Sequence, residues 1–499
     1  MDFLDPRKER LNRIVLFISY GLVALAITIT SIILLSVTDG YCVDGKGDVD
    51  KCGLVFVASE PTNATITVNG KQQTQLTNTK LNYQSGTYDI RLNLRGYREW
   101  SHQVTVLGGD VQRLDYARLI PKELTTISLA TFTNQLAVLT QSPNRRWLVV
   151  SDDPQLATIK LYDLRNSAKP AASTLTLPGG IISASEGTQS WEMVEWAENN
   201  RHILFQHNFT TGSDTNREYI LLDRQAPDAS RNLTKELGLV AADQLTLFHK
   251  NASQYFVYNT DTKVLRTAAL TGDAPLAQQL QRVFAYKAHG DDTLLYATDA
   301  PPSGRQQTGQ ISVVLQQGAR TTVLRQFTSP PQIYLMDIAQ YKGDWFVVVG
   351  ADTLKGAYIY KNPLDQKILS GAALPLAERF IKVANPTHLA FSTTAQFIMA
   401  QNAEHIGVYD TERDQVYTYR IDQIDAPQQH VRWMDGHRMV YISSGNLVMF
   451  DYDNTNKQTL QASLSSLPVS FSPDYTVVLS AQQHGAETRL SSTSLVLKR

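Results

Sequence analysis

Hydrophobic and polar positions follow three different patterns along the chain, and each pattern predicts a different element. Residues 14–38 form an uncharged run rich in isoleucine, leucine and valine, long enough for a helix to cross a membrane core of ~30 Å. Residues 53–121 alternate apolar and polar side chains in short runs, which predicts strands. Residues 122–499 repeat one strand pattern many times. We therefore expect an all-β protein with one N-terminal transmembrane helix.

The apolar run predicts an uncleaved membrane anchor. A buried core helix of this length would carry a polar stripe, and a cleaved signal peptide has an apolar core of only about 7–15 residues. Acidic residues dominate the segment just after the run, whereas four basic residues precede it: Arg7, Lys8, Arg10 and Arg13. Because positive flanks stay inside, we expect residues 1–13 to form a cytoplasmic tail and residues 14–38 to cross the membrane once. The bulk of the chain then lies outside the cell membrane.

Both cysteines, Cys42 and Cys52, lie in residues 39–52, which we expect to form a juxtamembrane loop. Thiols on the outer face of a membrane can oxidise, so a disulfide that closes this loop is the favoured interpretation. Two free thiols are the alternative. A pair of cysteines is too few for a disulfide-dense scaffold or for a zinc module built on four thiolates.

Residues 53–121 predict a small β-sandwich. Their alternating runs are separated by glycines, Asn69-Gly70 is a strong two-residue hairpin signal, and no stretch has helical periodicity. The order of motifs resembles the PEGA domain family, and the motifs are Ser59-Glu60-Pro61, Ala64-Thr65-Ile66-Thr67-Val68, Gly96-Tyr97 followed by Trp100, and Leu119-Ile120-Pro121. The tetrapeptide that names the family reads Pro61-Thr62-Asn63-Ala64 here, so its first and last residues match. The resemblance implies a bacterial or archaeal, surface-associated adaptor or envelope-binding module without catalytic residues.

The strand pattern of residues 122–499 predicts a β-propeller. It recurs eight times between Trp147 and Thr476, at a mean spacing of about 47 residues, with about four strands in each unit. We expect eight blades, with seven as the alternative. A string of β-sandwiches would need about 100 residues for each repeat. The turns Ser142-Pro143-Asn144 and Ser472-Pro473-Asp474 make the region similar to TolB/WD40-like propellers.

The ends of this region predict how the ring closes. The chain stops after what reads as the third strand of the last unit, whereas residues 124–132 alternate weakly and precede the first inner strand. We expect residues 124–132 to pair as the outer strand of the final blade. Joining both ends of the ring in one blade removes open sheet edges, which otherwise invite aggregation.

Catalytic chemistry is hard to find in the sequence. Motifs for a nucleophile elbow, a zinc-binding helix and a phosphate-binding loop are missing, so we assign no catalytic, cofactor-binding or metal-binding residue. His430, Asp435 and His437 come nearest to a metal cluster, but turn formation explains them equally well. Trp191 and Trp196 could line a glycan-binding surface, although aromatic residues in blades more often belong to the core. A net charge of −1 gives no sign of nucleic-acid binding.

The combination favours a membrane-anchored, extracytoplasmic binding or scaffolding protein of a prokaryotic cell envelope. Its partner would be an envelope protein or a glycan, bound through loops such as residues 210–217 and 299–309. The alternative is a propeller-based enzyme acting on cell-surface polymers, which would need ionisable residues that converge near the channel. A sensor would need a membrane partner, because the predicted cytoplasmic tail is short.

Overall fold

The computed structural model of the chain describes residues 6–38, 40–43, 49–270, 279–300, 310–365, 374–426 and 429–497. These residues form two compact units, Met1–Glu123 and Leu124–Arg499. Strands make up 55% of the chain and helices 7%, which confirms the all-β prediction. Each unit has its own core, because the alternating strands of each bury their apolar faces among themselves.

The first unit begins with a long apolar helix, α1 (Pro6–Thr38). Its segment Arg13–Ile32 has a mean hydropathy of 2.2 and is 0% buried within the protein. An apolar helix of this length that packs on nothing has the properties of a membrane-spanning helix, and a signal sequence near an N-terminus shares them. The uncleaved anchor with a cytoplasmic N-terminus therefore stays a prediction.

A disulfide-linked hairpin follows the helix. Its strands are β1 (Tyr41–Val43) and β2 (Val49–Lys51), which pair antiparallel. The structure joins Cys42 to Cys52, with their Cα atoms 5.8 Å apart. The backbone amide of Cys52 also donates to the carbonyl of Gly40, at 2.9 Å. The hairpin thus folds back onto the end of the helix.

Two packed sheets complete the first unit as a β-sandwich. One sheet has the strand order β6-β3-β9 and the other β5-β4-β7-β8. The strands are β3 (Gly53–Glu60), β4 (Thr65–Val68), β5 (Lys71–Leu76), β6 (Thr79–Tyr83), β7 (Gly86–Asn93), β8 (Trp100–Val106) and β9 (Val111–Arg118). Alternate side chains point inward along most of these strands, and the largest that they bury between the sheets is Trp100, 2% exposed.

The described part of the second unit contains eight small antiparallel sheets. We number them along the chain from sheet 1 to sheet 8. Sheet 1 contains β11 (Val138–Gln141), β12 (Trp147–Ser151), β13 (Thr158–Asp163) and β14 (Ala171–Thr176). Sheet 2 contains β15 (Gln189–Trp196), β16 (His202–Thr211), β17 (Asp214–Asp223) and β18 (Arg231–Asn232). Sheet 3 contains β19 (Asp243–Phe248), β20 (Asn251–Asn259) and β21 (Val264–Ala269). Sheet 4 contains β22 (Val283–His289), β23 (Thr293–Thr298), β24 (Ile311–Gln317) and β25 (Arg320–Phe327).

The remaining four sheets follow the same order. Sheet 5 contains β26 (Tyr334–Tyr341), β27 (Asp344–Ala351), β28 (Ala357–Lys361) and β29 (Arg379–Ile381). Sheet 6 contains β30 (His388–Phe391), β31 (Phe397–Asn402), β32 (His405–Asp410) and β33 (Gln415–Arg420). Sheet 7 contains β34 (Arg432–Trp433), β35 (Arg438–Ser443), β36 (Asn446–Asp451) and β37 (Gln458–Ala462). Sheet 8 contains β38 (Ser470–Phe471), β39 (Val477–His484), β40 (Glu487–Ser494) and β10 (Thr125–Phe132). A short helix, α2 (Leu233–Leu237), follows β18.

The ring closes as the sequence predicts. Strand β10 pairs antiparallel with β40, from Thr125 opposite Ser494 to Phe132 opposite Thr488, as the outer strand of the last sheet. Sheets 8 and 1 share one apolar core. At the centre of the ring, the Gln141 side-chain amide on β11 donates to the carbonyl of Phe471 on β38, at 2.7 Å. Each sheet therefore packs on its neighbours and the last packs on the first, which defines a closed β-propeller. The number of blades stays a prediction.

One predicted contact loop is wrong. Residues 210–217 belong mostly to the long hairpin of β16 and β17, in which Thr210 pairs with Thr215. Their polar side chains are exposed on an extension of the sheet, so they lack the apolar alternation by which a strand is recognised. Of the other predicted loop, residues 301–309 lie outside the described residues.

Candidate functional site

The first strand of each sheet lines the centre of the propeller, and these inner strands build the candidate site. A cavity of about 610 Å³ opens there between sheets 1, 2, 7 and 8. Its walls include Trp191 and Glu192 on β15, Leu467 and Ser470 at the start of sheet 8, and Arg432 on β34. The edge of each inner strand borders this channel, while its side chains alternate between the two faces of the blade.

Ionisable side chains on the inner strands of five sheets lie within electrostatic reach of one another. They are Glu195 on β15, Lys287 on β22, Asp337 on β26, His388 on β30 and Arg432 on β34. The pKa of Glu195 shows this interaction. Burial raises the pKa, whereas the backbone amide of Leu247 and the charges of Lys250 and Lys287 lower it. Residues far apart in the sequence thus form one electrostatic cluster. The clustered groups that the enzyme alternative requires are present.

One wall of the channel carries an ion pair. The Lys287 ammonium lies 3.8 Å from Oδ1 of Asp337, and the backbone amide of Ile338 donates to the same oxygen at 3.0 Å. Burial raises the pKa of Asp337, although Lys287 favours the ionised carboxylate. Lys287 is 53% exposed, so its ammonium group remains accessible to solvent while it pairs with Asp337.

Arg432 is an unpaired cation among the cavity-lining residues that the structure describes. Among the described residues, its guanidinium group has neither a hydrogen bond nor an ion pair, although the residue is exposed. The concave wall around it removes part of its solvent, and this desolvation lowers the pKa of Arg432. A guanidinium group presents five N–H donors in a planar fork that matches carboxylate, sulfate and phosphate oxygens. The arrangement can therefore bind an anionic group.

Two stacked histidines flank Arg432. The rings of His388 and His430 lie parallel, 5° apart in orientation, with centroids separated by 4.4 Å. Burial, together with the charges of His430, Arg432 and Lys287, lowers the pKa of His388 to about 4. Burial and the charge of Arg432 also lower the pKa of His430. Both imidazoles are thus held neutral at pH 7, which leaves Arg432 as the cation at this position.

The two tryptophans have different roles. Trp196 is 4% exposed and its indole N–H donates to Oγ1 of Thr140 at 3.0 Å, so it belongs to the core. Trp191 is only half-buried and lies in the channel wall. One face of its ring stacks on His207 at 4.1 Å, and its indole N–H donates to the carbonyl of Pro154 at 2.7 Å. These contacts hold the ring rigidly at the edge of the cavity.

His430, Asp435 and His437 do not form a metal site. His430 stacks on His388 in the channel, whereas Asp435 accepts backbone N–H bonds from His437 and Arg438 and pairs with the Arg438 guanidinium. The part of the chain that the structure describes contains no group of three or more potential metal-ligating side chains. Turn formation, the other interpretation of the sequence, is therefore the role of Asp435.

Sequence reasoning missed most of the channel cluster. Its members come from strands up to about 240 residues apart, and only the closed ring brings them together. One signal was present: Glu195 and Arg432 are lone charges between apolar neighbours on short predicted inner strands. A charged residue at such a position faces either a channel or a buried partner.

Comparison with known protein families identifies part of the first unit. Residues 52–119 match the PEGA domain family, so this part of the first unit is a PEGA domain. No curated protein sequence matches the chain. Among solved structures, Hsv2p from Kluyveromyces lactis is 11% identical with a TM-score of 0.38, and the match covers 66% of this chain and 98% of that one.

A second similar structure is the oligogalacturonate lyase from Vibrio parahaemolyticus, 11% identical with a TM-score of 0.37. This match covers 75% of the present chain and 99% of the lyase. Both structures are β-propellers of the TolB/WD40-like type. At this identity and TM-score neither structure carries an inference about this chain. The chain joins a PEGA domain to a β-propeller, behind one apolar helix.

Proposed function

We propose that this protein is a membrane-anchored, extracytoplasmic binding protein of a prokaryotic cell envelope, and that its propeller channel binds an acidic glycan. The observation that carries this proposal is the unpaired guanidinium group of Arg432 beside a cavity of about 610 Å³. A cation that lacks a partner in a concave, partly desolvated site gains most from an anionic ligand.

The anchoring part of the proposal rests on the first unit. The helix α1 buries none of its apolar window in the protein, and basic residues precede this window. A lipid environment would cover the helix, and the positive flank would keep its N-terminus in the cytoplasm. The PEGA domain and the propeller then lie on the outer side, where glycans of the envelope are within reach.

The glycan part of the proposal rests on the chemistry of the channel wall. Sugar rings pack their C–H faces on flat aromatic side chains, and Trp191 offers a fixed, half-buried ring at the edge of the cavity. Arg432 would bind a carboxylate or sulfate of the same chain, with the neutral imidazoles of His388 and His430 beside it as further donors. An aromatic ring combined with a free guanidinium group suits an acidic sugar better than a neutral one.

Calorimetry on the full chain in detergent micelles tests this proposal. Oligosaccharides that carry carboxylates or sulfates are titrated alongside neutral oligosaccharides of equal length. We expect the acidic series to bind and the neutral series to bind much more weakly. We also expect Arg432→Gln to weaken binding of the acidic series by about tenfold or more, because a charge-assisted pair is lost.

The matched control is Arg420→Gln. Arg420 lies on β33, the outer strand of sheet 6, and its Nε donates to Nε2 of His405 at 2.8 Å. This substitution removes the same charge far from the channel and should leave the affinity unchanged. Equal affinity for acidic and neutral sugars, binding of acidic peptides alone, or equal effects of both variants would contradict the proposal.

A second candidate is the enzyme acting on cell-surface polymers. It is favoured by two carboxyl groups of the inner strands, Glu195 and Asp337, because burial raises the pKa of each, the direction that a general acid requires. Mass spectrometry of the same oligosaccharides after incubation with the protein separates the two functions. An enzyme would release shorter products and lose this activity in the Asp337→Asn variant, whereas a binding protein returns the oligosaccharides intact.

A further inference from the structure

Two large apolar side chains are exposed at one tip of the PEGA domain. Leu107 is 58% exposed and Val111 is 56% exposed, on either side of the turn that joins β8 to β9. The neighbouring inward positions, Val106 and Leu114, are completely buried. The tip therefore presents apolar surface that the sandwich itself does not use.

This tip is locked onto the disulfide-linked hairpin. The backbone amide of Gly109 donates to the carbonyl of Cys52 at 3.0 Å, and the amide of Leu54 donates to the carbonyl of Asp110 at 2.8 Å. A Cβ atom at Gly108 would lie only 2.8 Å from the carbonyl oxygen of Lys51, so the turn approaches the hairpin as closely as glycine allows. The tip and the hairpin thus form one rigid corner.

The same corner lies where the chain leaves the apolar helix. Helix α1 ends at Thr38, and two residues later the carbonyl of Gly40 accepts the backbone amide of Cys52 at 2.9 Å. The disulfide between Cys42 and Cys52 closes the hairpin over this point. When α1 spans a bilayer, this connection leaves only a few residues between the membrane surface and the exposed side chains of the tip.

We propose that Leu107 and Val111 insert into the interfacial layer of the outer membrane leaflet beside the anchor. This inference rests on the membrane anchoring proposed above. Moving exposed leucine and valine side chains out of water lowers the free energy. The adjoining helix, when it spans the membrane, holds these side chains close to the lipid surface. The contact directs β3, which runs from Gly53 at the corner to Glu60, away from the bilayer.

Tryptophan fluorescence of the full chain in phosphatidylcholine vesicles tests the contact. One variant is Leu107→Trp, and the matched control is Leu76→Trp. Leu76 is also exposed, at 45%, but it precedes Thr77, whose hydroxyl bonds to Ser59 near the far end of β3. The two positions are therefore about one strand length apart, roughly 20 Å or more. Both are exposed, so both variants should fold.

We expect lipids brominated on their acyl chains to quench most of the emission that Leu107→Trp adds to the wild-type signal. The emission that Leu76→Trp adds should be unchanged. Equal quenching of both added tryptophans, or of neither, in vesicles that carry the protein would overturn the contact while leaving the anchor intact. Flotation of the vesicles separates the two failures, because a protein that does not float with them lacks the anchor and with it the contact.

Discussion

At the scale of single residues, one turn of the propeller depends on a buried carboxylate that is paired with a buried arginine. Asp435 and Arg438 each have side chains only 8% exposed, and the carboxylate accepts both the guanidinium Nε and two backbone amides. Burial alone would raise the pKa of Asp435, but Arg438 and these hydrogen bonds outweigh it and lower the pKa. The carboxylate is thus a structural part of the turn between β34 and β35.

Removing this carboxylate should be costly. We expect Asp435→Ala to lower the free energy of unfolding by about 3 kcal/mol, because Arg438 would keep a buried charge without its partner. Urea denaturation measures this change. The control, Asp115→Ala, removes the exposed partner of Arg113 and should cost no more than about 1 kcal/mol. Equal losses for the two variants would contradict this account of the turn.

Acid should weaken the propeller through Asp163. Burial alone would raise the pKa of Asp163, but hydrogen bonds from Arg146 and Arg165 outweigh it and lower the pKa from 3.8 to about 2. A folded-state pKa below the unfolded value means that the ionised group stabilises the fold above about pH 4. This stabilisation is lost as the pH falls from about 4 to about 2.

The variant Asp163→Asn tests this pH dependence. We expect its urea midpoint to vary less between pH 4 and pH 2 than the midpoint of the wild type, since the titrating group is gone. Asp115→Asn again serves as the exposed control and should follow the wild type. If Asp163→Asn and the wild type lose stability in parallel over this pH range, the proposed role of Asp163 is wrong.

At the scale of elements, β10 closes the ring. It covers the outer edge of β40, and the hydroxyl groups of Thr126 and Thr493 lie 2.6 Å apart across the pair. Without β10, the edge of an eight-residue strand would face solvent with unpaired backbone groups. The closing strand thus protects the last sheet from pairing with other molecules.

Two shortened chains test the closing strand. A chain that starts at Leu124 keeps β10, whereas a chain that starts at residue 133 lacks it and is otherwise identical. We expect the shorter chain to melt several degrees lower and to self-associate in sedimentation measurements, while the longer chain stays monodisperse. Identical melting and association of the two chains would show that β10 is dispensable.

Sequence patterns predicted the elements better than the site. The pairing of residues 124–132 could be predicted from two observations. The last repeat of the propeller pattern has only three strands, and residues 124–132 form a strand pattern outside the first repeat. The loop predicted at 210–217 is wrong because the β16–β17 hairpin extends beyond the core, where exposed polar residues replace the apolar alternation that identifies a strand. The cluster around Arg432 and His388 could not be predicted, since it depends on which strands face each other across a closed ring.

At the scale of the whole molecule, we propose one task for each part. In this proposal the apolar helix anchors the protein, the PEGA domain contacts the lipid surface, and the propeller binds its ligand through the unpaired guanidinium group of Arg432. The near-zero net charge conceals this division. Basic residues precede the apolar segment of α1, charges in the blades form ion pairs, and several ionisable groups cluster on the inner strands. Only a chain placed outside the membrane can use the channel as proposed.

The most direct test of this central claim is protease protection in right-side-out membrane vesicles from cells that express the full chain. We predict that protease added outside the vesicles degrades both the PEGA domain and the propeller and leaves only a short fragment that contains α1 in the membrane. Full protection of the propeller in intact vesicles, with digestion only after detergent is added, would contradict the account.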